Sequence, residues 1–310
     1  MTTATSLSAQ PRLGLVCITV SDAVRYRALT RKRLLQLDAA EQRRVLRELY
    51  ADNLARLDGA LSFCANRGIR LYRMTSALFP FADDEAGASV LEEFNGRIGE
   101  VGRRAAEFGI RLVLHPDQFV VLNSDSSQVI ENSIKILETH ARVMDMLGQP
   151  RSCWALIEIH GGKGGRAERL IEVTRSLPEA VRSRLAFEND EYTYSAAAIL
   201  EVCRAAGVPM VFDAHHHLVH EKLDSYDHES VGRMLAAARE TWPVPAWQLV
   251  HISNGRSSFG DRNHSDLIET MPAAFRDAPW IEVEAKQKEL AIEKLQTEWL
   301  EAAAVESQAR

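Results

Sequence analysis

The stretch FNGRIGEVGRRAAEFGIRLVLH, residues 94–115, decides the fold. Its first part sets Phe94, Ile98, Val101, Ala105 and Phe108 at alternating four- and three-residue steps, which lines them along one helical face. Gly109 follows, a residue suited to ending a helix because it adopts a left-handed backbone at little steric cost. RLVLH (111–115) is too short for a helix and rich in bulky apolar residues, so it reads as a strand. It ends on an ionisable residue, His115.

Outward from this unit the pattern recurs. Strand-like runs stand at 12–18, 69–74, 154–160, 184–189, 209–214, 247–253 and 280–285. Helical periodicity fills 129–148, 195–207 and 284–304, and Gly148 and Gly207 close the first two of these. Strands alternating with helices imply parallel pairing through crossovers, and eight strands suggest closure. The expectation is an α/β fold, a single-domain (β/α)8 TIM barrel over residues 12–304. The structural alternative is an open doubly wound sheet. Residues 29–51 read as a charged helical insertion after the first strand, and 81–88 as an acidic loop. Residues 1–11 read as a disordered tail and 305–310 as a frayed end.

Composition narrows the class. The chain has 310 residues, 46% hydrophobic and 26% charged, the profile of a soluble globular protein. No apolar run approaches the roughly 20 residues of a membrane span, and the N-terminus lacks the basic start and apolar core of a signal peptide. A cytoplasmic location is expected. Cys17, Cys64, Cys153 and Cys203 are scattered without a CxxC and read as reduced thiols. The net charge of −6 argues against a sequence-independent nucleic-acid coat, though a local basic rim remains compatible with it.

The informative feature is where ionisable residues fall. His115, His160, Glu188, Asp213, His251 and Glu284 all end strands, His215, His216 and His217 follow Asp213, His264 sits in the loop after strand seven, and Asp84 follows strand two. In a (β/α)8 barrel the C-terminal strand ends share one mouth, so these residues converge. Alone, each has an ordinary explanation: a hydrogen-bonded structural His, or a solvated carboxylate. Together, several carboxylates in one partly buried mouth repel one another unless cations intervene. Imidazole with carboxylate suits divalent metals such as manganese or zinc. Strand parity leaves open which of the three adjacent histidines turns inward.

Read in order, RMTSALFPFAD (73–83), HPDQFVVLNS (115–124), LAFENDEYTY (185–194), VFDAHHH (211–217), VHIS (250–253) and EVEAKQKELAIEKL (282–295) resemble the UV damage endonuclease family over roughly residues 12–295. The resemblance implies a metal-dependent DNA repair hydrolase. Such an enzyme nicks immediately 5′ of cyclobutane dimers and 6-4 photoproducts, with tolerance of other lesions such as abasic sites. It implies metal ligands His115, His160, Glu188, Asp213, His216, His251, His264 and Glu284, with Asp84 where the family usually has His. It selects His216 from the histidine run. Two or three divalent cations are expected, manganese first, with zinc or magnesium as alternatives. Glu188, Asp213, Glu284 and Lys286 are the expected catalytic residues, Glu188 bridging two ions. Gln118 and Phe119 are the expected wedge at the lesion, and Leu15, Asn189, Lys163, Arg256 and Lys288 the further DNA contacts. Leu15 and Phe119 stand where the family has Tyr, and Leu249 where it has a modifiable Lys. The expected partner is double-stranded damaged DNA, bound by a monomer. A sugar isomerase or epimerase on the same barrel, an abasic-site endonuclease and a metal-loaded DNA-binding module are the rival readings.

Overall fold

A computed structural model describes residues 10–301. The tails expected at residues 1–9 and 305–310 lie outside the described residues. The strands are β1 (Arg12–Val16), β2 (Leu71–Met74), β3 (Arg111–Leu114), β4 (Ile157–His160), β5 (Leu185–Glu188), β6 (Met210–Asp213), β7 (Leu249–Ile252) and β8 (Trp280–Val283). Between them run α1 (Arg31–Leu34), α2 (Ala39–Asn66), α3 (Glu85–Glu92), α4 (Asn95–Glu107), α5 (Ser127–Met146), α6 (Ala167–Ser176), α7 (Glu179–Arg182), α8 (Ala196–Ala206), α9 (Ala214–Glu221) and α10 (Glu229–Arg239), and α11 (Lys288–Leu295) follows β8. The strands pair in parallel as a closed barrel from β1 round to β8, where Leu13 meets Ile281. Closure excludes the open sheet. It also leaves no strand edge exposed.

Strand alternation sorts the core into two layers. Leu71, Val113, Leu156, Ala186, Val211, Leu249 and Trp280 pack together inside the barrel. Leu15, Tyr72, Leu112, Ile159, Phe187 and Phe212 belong to the second layer, under the helices. At the floor lies Arg111, fully buried. Its guanidinium donates to the carbonyls of Trp154, Trp247 and Cys153 at 2.8–3.0 Å. It also faces the rings of Trp154, Trp242 and Trp280. Burial pushes its pKa down to about 9.

The segment 29–51 is a correction. It holds the four-residue α1 and the first half of α2, and α2 is the crossover helix from β1 to β2 itself. Arg and Glu residues of α2 line its solvent face in pairs such as Arg44–Glu48 and hide a buried stripe of Leu46, Leu49, Leu54 and Leu57. The segment 81–88 turns through a left-handed Phe81 and enters α3 at Glu85. All four cysteines are free thiols, with Cys64, Cys153 and Cys203 buried.

Candidate metal centre

Parallel register brings the strand ends together. His160 pairs with Glu188, and Asp213 with His251. Glu188 is the hub. Its carboxylate lies 3.3 Å from His115 Nε2, 3.7 Å from His160 Nε2, 3.1 Å from His216 Nδ1 and 3.2 Å from His251 Nδ1. Glu284, just past β8, lies 3.6 Å from His251 Nδ1. His115–His160–Glu188, Glu188–Asp213–His216 and Asp213–His251–Glu284 each converge closely enough to hold one cation.

The histidine run is settled by a helix. β6 stops at Asp213 and α9 starts at once, so the three histidines follow helical spacing, not strand parity. Asp213 caps α9 and accepts the backbone N–H of His216 at 2.6 Å. His216 therefore turns back toward the carboxylates. His215 instead bridges Tyr226 and the carbonyl of Asp261, and His217 meets Ser230.

The donor chemistry fits divalent metal. Asp213 Oδ2, His160 Nδ1 and both ring nitrogens of His251 are buried without an aligned hydrogen bond. Such orphan groups are costly, and a cation satisfies those that face the mouth. Burial pushes the Glu188 carboxyl up, but His251 and His160, with hydrogen bonds from His115 and His216, hold it well below the usual range. Glu284 is likewise raised by burial and then held low by Arg73 and His251. Burial lowers His160, favouring the neutral ring that a metal requires.

Other predicted residues fall differently. Asp84 is not part of the cluster: it starts α3, is partly exposed, and pairs with Arg31 at 2.8 Å. Leu15 is fully buried and packs under the helices, so it offers DNA no surface. Asn189 is also fully buried, where it exchanges two hydrogen bonds with the backbone of Asp213 at 2.9 and 3.0 Å. It holds β5 to β6 and cannot reach a strand of DNA. His264 flanks the cluster, its Nδ1 3.8 Å from Glu284. Leu249 fills the inner apolar layer.

Gln118 and Phe119 stand exposed on the rim of an open cavity of about 880 Å³ that contains His115, Glu188, His216 and Glu284. Lys163 lines the same rim. Lys286 and Lys288 line a neighbouring cavity beside His264, and Arg256 is exposed on the loop that carries His264.

Sequence reading missed a deeper tier. Glu158 and Glu282 are fully buried two residues before His160 and Glu284. Period-two alternation from those strand ends was the available signal. Arg73, at the start of the RMTSALFPFAD motif, is buried beside them at 2.8 Å from Glu282 and 2.5 Å from Glu284. Burial and Glu282 raise the Glu158 carboxyl, whereas Arg73 and His251 overcome burial to lower Glu282.

Comparison with known proteins shows what the chain resembles. A family model described as UV-endonuclease UvdE matches residues 11–309. A UV DNA damage endonuclease of Nostoc sp. is 57% identical over 94% of this chain and 92% of its own length. Another, of Deinococcus radiodurans, is 49% identical over 93% of this chain and 95% of its own. The crystal structure of SacUVDE superposes with a TM-score of 0.72 at 25% identity, covering 92% of this chain and 98% of that one.

Proposed function

The chain belongs to the UV-endonuclease UvdE family, and on that premise we propose that it is a metal-dependent DNA repair endonuclease. It nicks the phosphodiester backbone immediately 5′ of cyclobutane dimers and 6-4 photoproducts, with tolerance of other lesions. It acts as a cytoplasmic monomer on double-stranded DNA. The observation that carries the reading is Glu188 ringed by four histidines, with Asp213 and Glu284 beside it, in a mouth open to a large ligand.

His115, His160 and Glu188 would hold one cation, Asp213, His251 and Glu284 a second, and His216 would share Glu188 and Asp213 toward a third. Manganese is the first expectation, with zinc or magnesium as alternatives. When bound, such ions activate water and neutralise charge on the phosphate. Glu188 belongs to two of these three groups and would be a shared ligand. Lys286 and Lys288 would meet phosphates on one side of the mouth and Lys163 on the other, with Arg256 further out. Gln118 and Phe119 would enter the base stack. A photoproduct already weakens that stack, so extruding it costs less than extruding normal bases.

The test is nicking of supercoiled DNA that is UV-irradiated, abasic or undamaged, with manganese and with or without a chelator. UV-irradiated DNA should be cut, and the chelator or Glu188→Gln should abolish cutting while circular dichroism stays unchanged. Nicking confined to abasic DNA, or full activity of Glu188→Gln, would sink the proposal.

A further inference from the structure

The fully buried His251 stands between the two carboxylate tiers. Its Nδ1 faces Glu188 and Glu284 at 3.2 and 3.6 Å. Its Nε2 faces the deep tier, 3.0 Å from Glu282 Oε2 and 3.3 Å from Glu158 Oε1. A neutral imidazole that gives one nitrogen's lone pair to a cation carries its proton on the other. For His251 that proton must sit on Nε2, where Glu282 and Glu158 lie within reach. The nearer, Glu282, is also the one that Arg73 touches, at 2.8 Å against 3.6 Å for Glu158. Arg73 sets its own positive charge beside these carboxylates, so a cation held by Glu158, His251 and Glu282 would have to displace it.

We infer that Glu282 is a positioning residue: held by Arg73, it accepts the Nε2 proton of His251 and fixes the ring with Nδ1 toward the metal mouth. Carboxylates that orient a ligand histidine in this way raise its basicity and govern metal affinity by about 10–100-fold. The inference rests on the metal reading above. Removing Glu282 alone leaves Arg73 buried without one of its partners, which can unfold the chain. An apolar replacement of both partners avoids that.

The experiment titrates Mn2+ into metal-stripped full-length protein and reads free Mn2+ by electron paramagnetic resonance. The variants are Glu282→Gln, Glu158→Gln, Arg73→Met, and Arg73→Met combined with Glu282→Leu. The expected result is an about 10-fold or greater weakening of one Mn2+ in Glu282→Gln, and in the double variant relative to Arg73→Met, with less change in Glu158→Gln. Nicking by Glu282→Gln should recover as Mn2+ is raised, with KM for DNA unchanged. Affinity in the double variant equal to that of Arg73→Met overturns the inference, and so does a larger loss in Glu158→Gln than in Glu282→Gln. Wild-type protein that binds no Mn2+ overturns the metal reading itself, and this inference with it.

Discussion

Phe119 presents 73% of its surface to solvent at the edge of the barrel mouth, although a Phe gains about 1.5–3 kcal/mol on burial. Its loop is held from below: Ser76 donates to Asp117 at 2.8 Å, and the Val120 N–H reaches the Asp117 carbonyl at 3.1 Å. A fixed loop with an unburied ring suits insertion between bases. Stacking of one base on an aromatic ring contributes about 1–3 kcal/mol, so Gln118→Ala with Phe119→Ala should lower preference for UV-irradiated over undamaged DNA by roughly 10–100-fold. Mn2+ binding should be untouched. Competition binding with both DNAs measures this, and an unchanged preference would remove the pair as the wedge. At this scale the sequence was legible where a residue ends a strand. His115, His160, Glu188, Asp213, His251 and Glu284 could be found because an ionisable group closing an apolar run is conspicuous. Glu158 and Glu282 lie inside such runs, where neighbouring Ile and Val masked them. Leu15 and Asn189 were assigned by position in a motif, and burial, which a motif does not reveal, removes both from the DNA surface.

Helix and strand boundaries were legible because their signals are local. Gly109, Gly148 and Gly207 each take the left-handed backbone just beyond a helix. The role of 29–51 was less so, since surface charge disguised the start of a long barrel helix. Helix-to-helix approach was not legible at all. Gly102 of α4 abuts the end of α5, and a Cβ there would fall 1.8 Å from the Leu147 carbonyl oxygen. Backbone cannot yield as a flexible side chain does. Gly102→Ala should therefore destabilise despite alanine's better helix propensity, by about 1–3 kcal/mol as overpacking usually does. Urea unfolding would show a lower midpoint at unchanged slope. A stabilised variant would mean that α4 and α5 can separate without loss.

The whole molecule carries a net charge of −6, yet it concentrates cations near the proposed DNA path and carboxylates at the centre. Its closed strand ring and packed inner layer leave a polar interior accessible from the C-terminal end. The opposite end is sealed by Arg111 under its tryptophans. Among the described residues, a barrel stoppered in this way opens at its C-terminal mouth. Ions, water and duplex must share it, and they cannot all pass at once. On the proposed function, a damaged duplex lying across the mouth would hold the cations behind it until that duplex leaves. A chelator added to a preformed complex should therefore strip Mn2+ no faster than the DNA dissociates, whereas the free protein should lose it far sooner. Stopped-flow chelation beside a DNA-release trace would compare the two rates, and stripping that outruns release would reveal a second exit. The floor of the barrel would then set the order of events: metal first, substrate second, and departure in reverse.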